Sequence, residues 1–138
     1  MAAPSKEVFP ARLESLEAIN AFVTAAAEAA ELDARAIYAV QMAVEEACSN
    51  IIEHAYGDVQ EGDIECTCVA DATGLTITLC DYGREFDPSQ VPEPDLQCSL
   101  EDRPVGGLGL YLIHQMMDDV SFECRPNCNL LTMVKRRE

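Results

Sequence analysis

Tryptophan is absent from the 138 residues, and the only aromatic side chains are four tyrosines and four phenylalanines. Basic residues are also scarce: nine Lys and Arg face 25 Asp and Glu, for a formal net charge of −16. A chain this acidic repels phosphate backbones, which argues against nucleic acid as a general ligand. No apolar stretch reaches the ~20 residues needed to cross a bilayer, and no signal peptide is expected. The seven cysteines are odd in number and contain no Cys-x-x-Cys pair. With no leader expected, this favours reduced thiols in the cytoplasm over a disulfide framework. Cys66 and Cys68 alternate along an apparent strand, where cysteine acts as a small apolar residue. A zinc cluster of Cys66, Cys68, Cys124 and Cys128 would require their strands to be adjacent.

What the chain does have is 49% hydrophobic residues, enough for a two-layer core in one domain spanning residues 1–138. Within it, residues 44–55 read as a helical segment. At ~100° per residue, Val44, Ala47, Cys48, Ile51 and Ala55 form an apolar stripe, while Glu46 and Asn50 stack on the polar side. A carboxylate and a carboxamide one turn apart suit a metal-bound nucleotide, although a solvated helix face would show the same pattern.

Two later segments add what nucleotide chemistry needs. Asp81 follows the apolar run Leu75–Cys80, at the mouth of a strand that turns at Gly83. An aspartate there can accept a hydrogen bond from an adenine amino group, and glycine allows close approach. Gly106, Gly107 and Gly109 then lead into a helical stretch at Tyr111–Met117. Backbone N–H groups at such a helix start point toward phosphate. Arg103, just before the glycines, could reach a terminal phosphate or tether an acidic loop. His54, one more turn beyond Asn50, suits a helix-end bond to backbone better than a phosphate contact.

The periodicity predicts a short strand at Glu7–Ala11, an alanine-rich helix through Leu16, Ile19, Val23, Ala26 and Ala30, and a second helix from about Ala34 to Ala55 capped by Asp33. A hairpin of residues 65–71 and 75–81 follows, then an acidic, proline-containing loop, a helix at about 109–117, and strands near 120–125 and 130–134. This is an α+β pattern of helices on one sheet face. Lys135, Arg136 and Arg137 read as a solvated tail.

In order and spacing these segments resemble the anti-sigma-factor serine/threonine kinases. These form the RsbW-like branch of the GHKL, or histidine-kinase-like, ATPase superfamily, with its Bergerat nucleotide fold. The likeness runs from about Glu7 to Arg136. Glu46 and Asn50 match the N-box, Asp81 and Gly83 the first glycine box, and Gly106, Gly107 and Gly109 the second. Leu131–Lys135 matches the closing strand.

The resemblance implies a two-layer α/β sandwich with a mixed, mostly antiparallel sheet and an ATP lid at about residues 87–108. It implies ATP and Mg²⁺ as cofactors, Glu46 as general base, Asn50 as the protein ligand to Mg²⁺, Asp81 as the adenine reader and Thr132 as its support. It also implies an anti-anti-sigma (STAS) protein as phosphorylation substrate, a sequestered sigma factor and a homodimer. The alternative is an ATP-binding module that sequesters a partner without transferring phosphate. Glu85 supports that alternative, because it replaces a glycine of the first box and brings negative charge near the ligand.

Overall fold

The computed structural model describes residues 4–52, 62–81, 107–124 and 128–137. Five strands form one sheet: β1 (Ser5–Pro10), β2 (Asp63–Ala70), β3 (Gly74–Asp81), β4 (Asp119–Cys124) and β5 (Asn129–Arg136). Their order is β1-β2-β3-β5-β4. Each of the four ladders is antiparallel, so among the described residues the sheet shows no parallel pair. Among the described residues three α-helices accompany it: α1 (Leu16–Ala29), α2 (Ala34–Asn50) and α3 (Gly107–Met116).

Alternation along the strands decides which face is covered. Ile64, Cys66 and Cys68 on β2, Leu75, Ile77 and Leu79 on β3, and Leu131 and Met133 on β5 are buried in one cluster. From above, that cluster receives Ile19, Val23 and Ala27 of α1 and Val40, Ala43, Val44, Ala47 and Cys48 of α2. Phe9 joins from β1, its ring edge-on to Phe22 at a centroid distance of 5.8 Å, within the range of favourable aromatic pairs. Asp33 caps α2 as expected, accepting a 2.9 Å hydrogen bond from the Ala36 N–H.

Chain anchors orient the helices against the sheet. Arg137 donates to the carbonyls of Ala30, Ala72 and Asp71, which brings together the C-terminus of α1, the β2–β3 turn and the end of β5. Lys135 Nζ donates to Met116 O at 2.9 Å, so α3 also ends there. The helix α2 starts at this same end, with Asp33 only three residues past Ala30, and its 17 residues carry it ~25 Å away. Its C-terminus, the start of α3 and the C-terminus of β3 therefore all lie toward the opposite end of the sheet.

One expectation is corrected. The basic tail is not simply solvated: Lys135 and Arg137 satisfy helix-end and turn carbonyls, and Arg136 pairs with Asp119. The four-cysteine zinc cluster fails on adjacency, because β2 is separated from the β4–β5 pair by β3, and no three metal-binding side chains gather among the described residues. Cys48, Cys66 and Cys68 are instead buried thiols of the core. Residues 87–106 of the expected lid, Gly83, Arg103, Gly106, His54 and the end of the second helix after Ile52 lie outside the described residues, while the last two residues assigned to the lid open α3.

Candidate functional site

Helix α2 buries Ala43, Val44, Ala47 and Cys48, and this fixes its rotation. Glu46 and Asn50 consequently stand half-buried on its other side while Glu45 is exposed. Neither Glu46 nor Asn50 makes a side-chain hydrogen bond or ion pair among the described residues, so a carboxylate and an amide are available to a ligand one turn apart. Directly after Asn50 the helix widens into a π-type turn at Ile51–Ile52, a distortion that recurs at functional sites.

Asp81 closes β3 and is only 2% exposed. A buried carboxylate is costly unless it is hydrogen-bonded, and Asp81 Oδ1 accepts a 3.0 Å bond from Asn129 Nδ2. Asn129 is its direct cross-strand neighbour. Thr132 takes a different place from the one expected: it pairs with Thr78 and Ser121. Its parity puts it on the sheet face away from the helices, whereas Asp81 shares the helix-facing parity of Leu75, Ile77 and Leu79. The residue beside Asp81 is thus Asn129 and not Thr132. The sequence held a usable signal, because continuing the Leu79–Leu131 pair by two residues gives Asp81–Asn129.

Gly107 and Gly109 fall within the first turn of α3, so unpaired N–H groups and the positive end of the helix dipole are found where glycines keep the backbone open. Glu46, Asn50, Asp81 and the α3 start are thereby gathered at one end of the sheet. That donor set fits a nucleotide with a hard divalent ion: an amide oxygen for Mg²⁺, helix N–H groups for phosphates, and a buried acceptor for a base amino group.

A sequence profile of the histidine kinase-like ATPase domain matches residues 9–135. The chain belongs to this family. Within it, the chain is similar to the serine/threonine-protein kinase BtrW of Bordetella bronchiseptica, 31% identical over 100 residues that cover 72% of this chain and 70% of that protein. It is also similar to the serine-protein kinase RsbW of Bacillus cereus, 38% identical over 85 residues, or 59% of this chain and 52% of that protein. The chain thus spans about half the length of the RsbW relative. Among solved structures, the RsbU and RsbW domains of a Mycobacterium tuberculosis protein superpose with a TM-score of 0.65 at 13% identity, over 97% of this chain and 32% of that one. A histidine kinase domain from Erythrobacter litoralis gives a TM-score of 0.58 at 15% identity, over 88% of this chain and 61% of that one. At such identities the likeness shows the fold, and it is the histidine kinase-like ATPase fold that the sequence led one to expect.

Proposed function

We propose that this chain is an ATP-dependent serine/threonine protein kinase that acts as an anti-sigma regulatory factor in a partner-switching system. Its substrate would be a small anti-anti-sigma (STAS) protein, and it would sequester a sigma factor in the cytoplasm, as a homodimer. The observation that carries the reading is the half-buried Glu46–Asn50 pair on α2, at the same end of the sheet as buried Asp81 and the glycine start of α3. Kinship with proteins named serine kinases supports it.

In this reading Asp81 holds the adenine amino group, Gly83, Gly106, Gly107 and Gly109 shape the loops around the phosphates, and Arg103 reaches the terminal one. Asn50 supplies an amide oxygen to Mg²⁺. Bound Mg-ATP supplies the transferable phosphoryl group and neutralises its charge. Glu46 then orients the partner's Ser or Thr hydroxyl and accepts its proton. The negative balance of the chain suits a partner with a basic face. A new phosphate of about −1.5 to −2 charge on that partner would weaken the complex by repulsion.

The test is transfer of radiolabelled phosphate from ATP to a candidate STAS partner, with the unsubstituted chain and Glu46→Ala. Transfer should fall by at least ~100-fold on loss of the general base, while ATP binding persists. Intact partner binding with no transfer by the unsubstituted chain would instead identify a sequestering module.

A further inference from the structure

The Gln41 amide donates to the Thr24 hydroxyl at 2.9 Å, which fixes one flank of α2 against α1. At ~100° per residue, Glu46 and Asn50 lie ~140° and ~180° around the helix from Gln41, on the flank turned away from α1. Tyr38 and Glu45 lie within ~60° of Gln41, on the crest roughly opposite the buried Val40, Val44 and Ala47. Tyr38 is 58% exposed and Glu45 is exposed. Seven residues apart, they stand on one stripe with ~10.5 Å between them along the axis. Nothing in the fold rewards the charge of Glu45. Its neighbours one turn away, Gln41, Met42, Cys48 and Ser49, include no cation, so no helical ion pair forms. It enters no ion pair or side-chain hydrogen bond among the described residues, and Glu46 beside it carries the same sign.

We infer, resting on the kinase reading above, that Glu45 and Tyr38 form a docking crest for the protein substrate, Glu45 taking a Lys or Arg beside the acceptor Ser or Thr and Tyr38 filling an apolar recess. A hydroxyl delivered to Glu46 brings the surface around it over this crest, because Glu45 directly precedes Glu46. The Glu46 carboxylate is committed to the hydroxyl, whereas that of Glu45, ~100° around the helix, is left for a cation. An ammonium or guanidinium there makes a charge-assisted bond, and tyrosine supplies a large, stiff contact at small entropic cost. Glu45 is thus a specificity-determining residue. It selects acceptors with a basic neighbour and speeds their encounter, and it takes no part in moving the proton or the phosphoryl group.

Phosphate transfer from ATP to a STAS protein that the unsubstituted chain phosphorylates is measured for the unsubstituted chain, Glu45→Gln, Glu45→Lys and Tyr38→Ala, with KM for the protein and kcat read separately. Glu45→Gln should raise KM about five- to tenfold and Glu45→Lys should raise it further. In both, kcat and ATP affinity should stay within about twofold, and the KM difference should shrink at high salt. Tyr38→Ala should raise KM without that salt dependence. Thermal melts should show Glu45→Gln no less stable than the unsubstituted chain, since the change relieves repulsion from Glu46, whereas a structural role would lower Tm and activity together. An unchanged KM in both Glu45 variants overturns the inference and leaves the kinase reading intact. So does weakened sigma-factor binding with KM unchanged, which would give the crest to the sequestered partner. Absence of transfer by the unsubstituted chain to every STAS protein tried overturns the kinase reading and this inference together.

Discussion

A Cβ placed on Gly74 would lie 2.2 Å from the Lys135 carbonyl oxygen and 2.7 Å from the Arg136 Cα, with φ at +156°. Both obstacles are backbone of the neighbouring strand and cannot rotate away. Gly74→Ala is therefore expected to lower unfolding stability by ~2 kcal/mol or more, read as a lower urea midpoint. Cys48, on the buried side of α2, responds to pH. Burial pushes its thiol up to about 12, whereas an unfolded thiol titrates near ~8.5. The folded value is the higher one, so stability is intact below the unfolded value and falls with rising pH as the unfolded chain sheds its proton first. From about pH 8 to about pH 10.5 the loss from this group should approach ~2.5 kcal/mol, and Cys48→Ala should flatten that slope in urea titrations. Cys66 and Cys68 add opposed effects: the hydrogen bond between them raises Cys66 and lowers Cys68, and burial raises both. Asp71 is held low by the Thr73 hydroxyl and by the Thr73 and Gly74 N–H groups, so its support for the β2–β3 turn is present above the ordinary carboxyl range and lost in acid.

At the scale of elements, the C-terminal strand locks the helical layer to the sheet through carbonyls that helices and turns leave open. Arg137 supplies three such bonds of 2.8–2.9 Å, and Arg137→Ala should cost about 1–2 kcal/mol, seen in thermal melts. This locking was invisible in the sequence, where three adjacent cations look alike whether they face water or carbonyl oxygens. What could be read was local. The Asp33 cap, the apolar stripe of α2 and the Cys66/Cys68 alternation each declare themselves within a few residues. The Asp81–Asn129 pair could not be read that way, because its partners lie 48 residues apart and depend on the β3–β5 register. A motif match placed Thr132 next to Asp81, while strand parity puts it on the opposite face. The half-buried setting of Glu46 and Asn50 likewise depends on packing against α1 and the sheet, which a helical wheel only suggests.

For the molecule as a whole, the antiparallel hairpins place α2, α3 and β3 so that their functional ends coincide. The proposed site is thus a consequence of topology as much as of motif. The surface around it belongs to a chain of net charge −16, which opposes a bare triphosphate, so tight binding is expected to depend on a divalent ion. The most direct measurement is a calorimetric titration of ATP, with and without Mg²⁺, into the unsubstituted chain, Asn50→Ala and Asp81→Asn. Magnesium-dependent binding that weakens at least ~tenfold in either variant is expected, a loss of ~1.4 kcal/mol or more. No heat with the unsubstituted chain, or equal affinity in all three proteins, would contradict a nucleotide site at this end of the sheet.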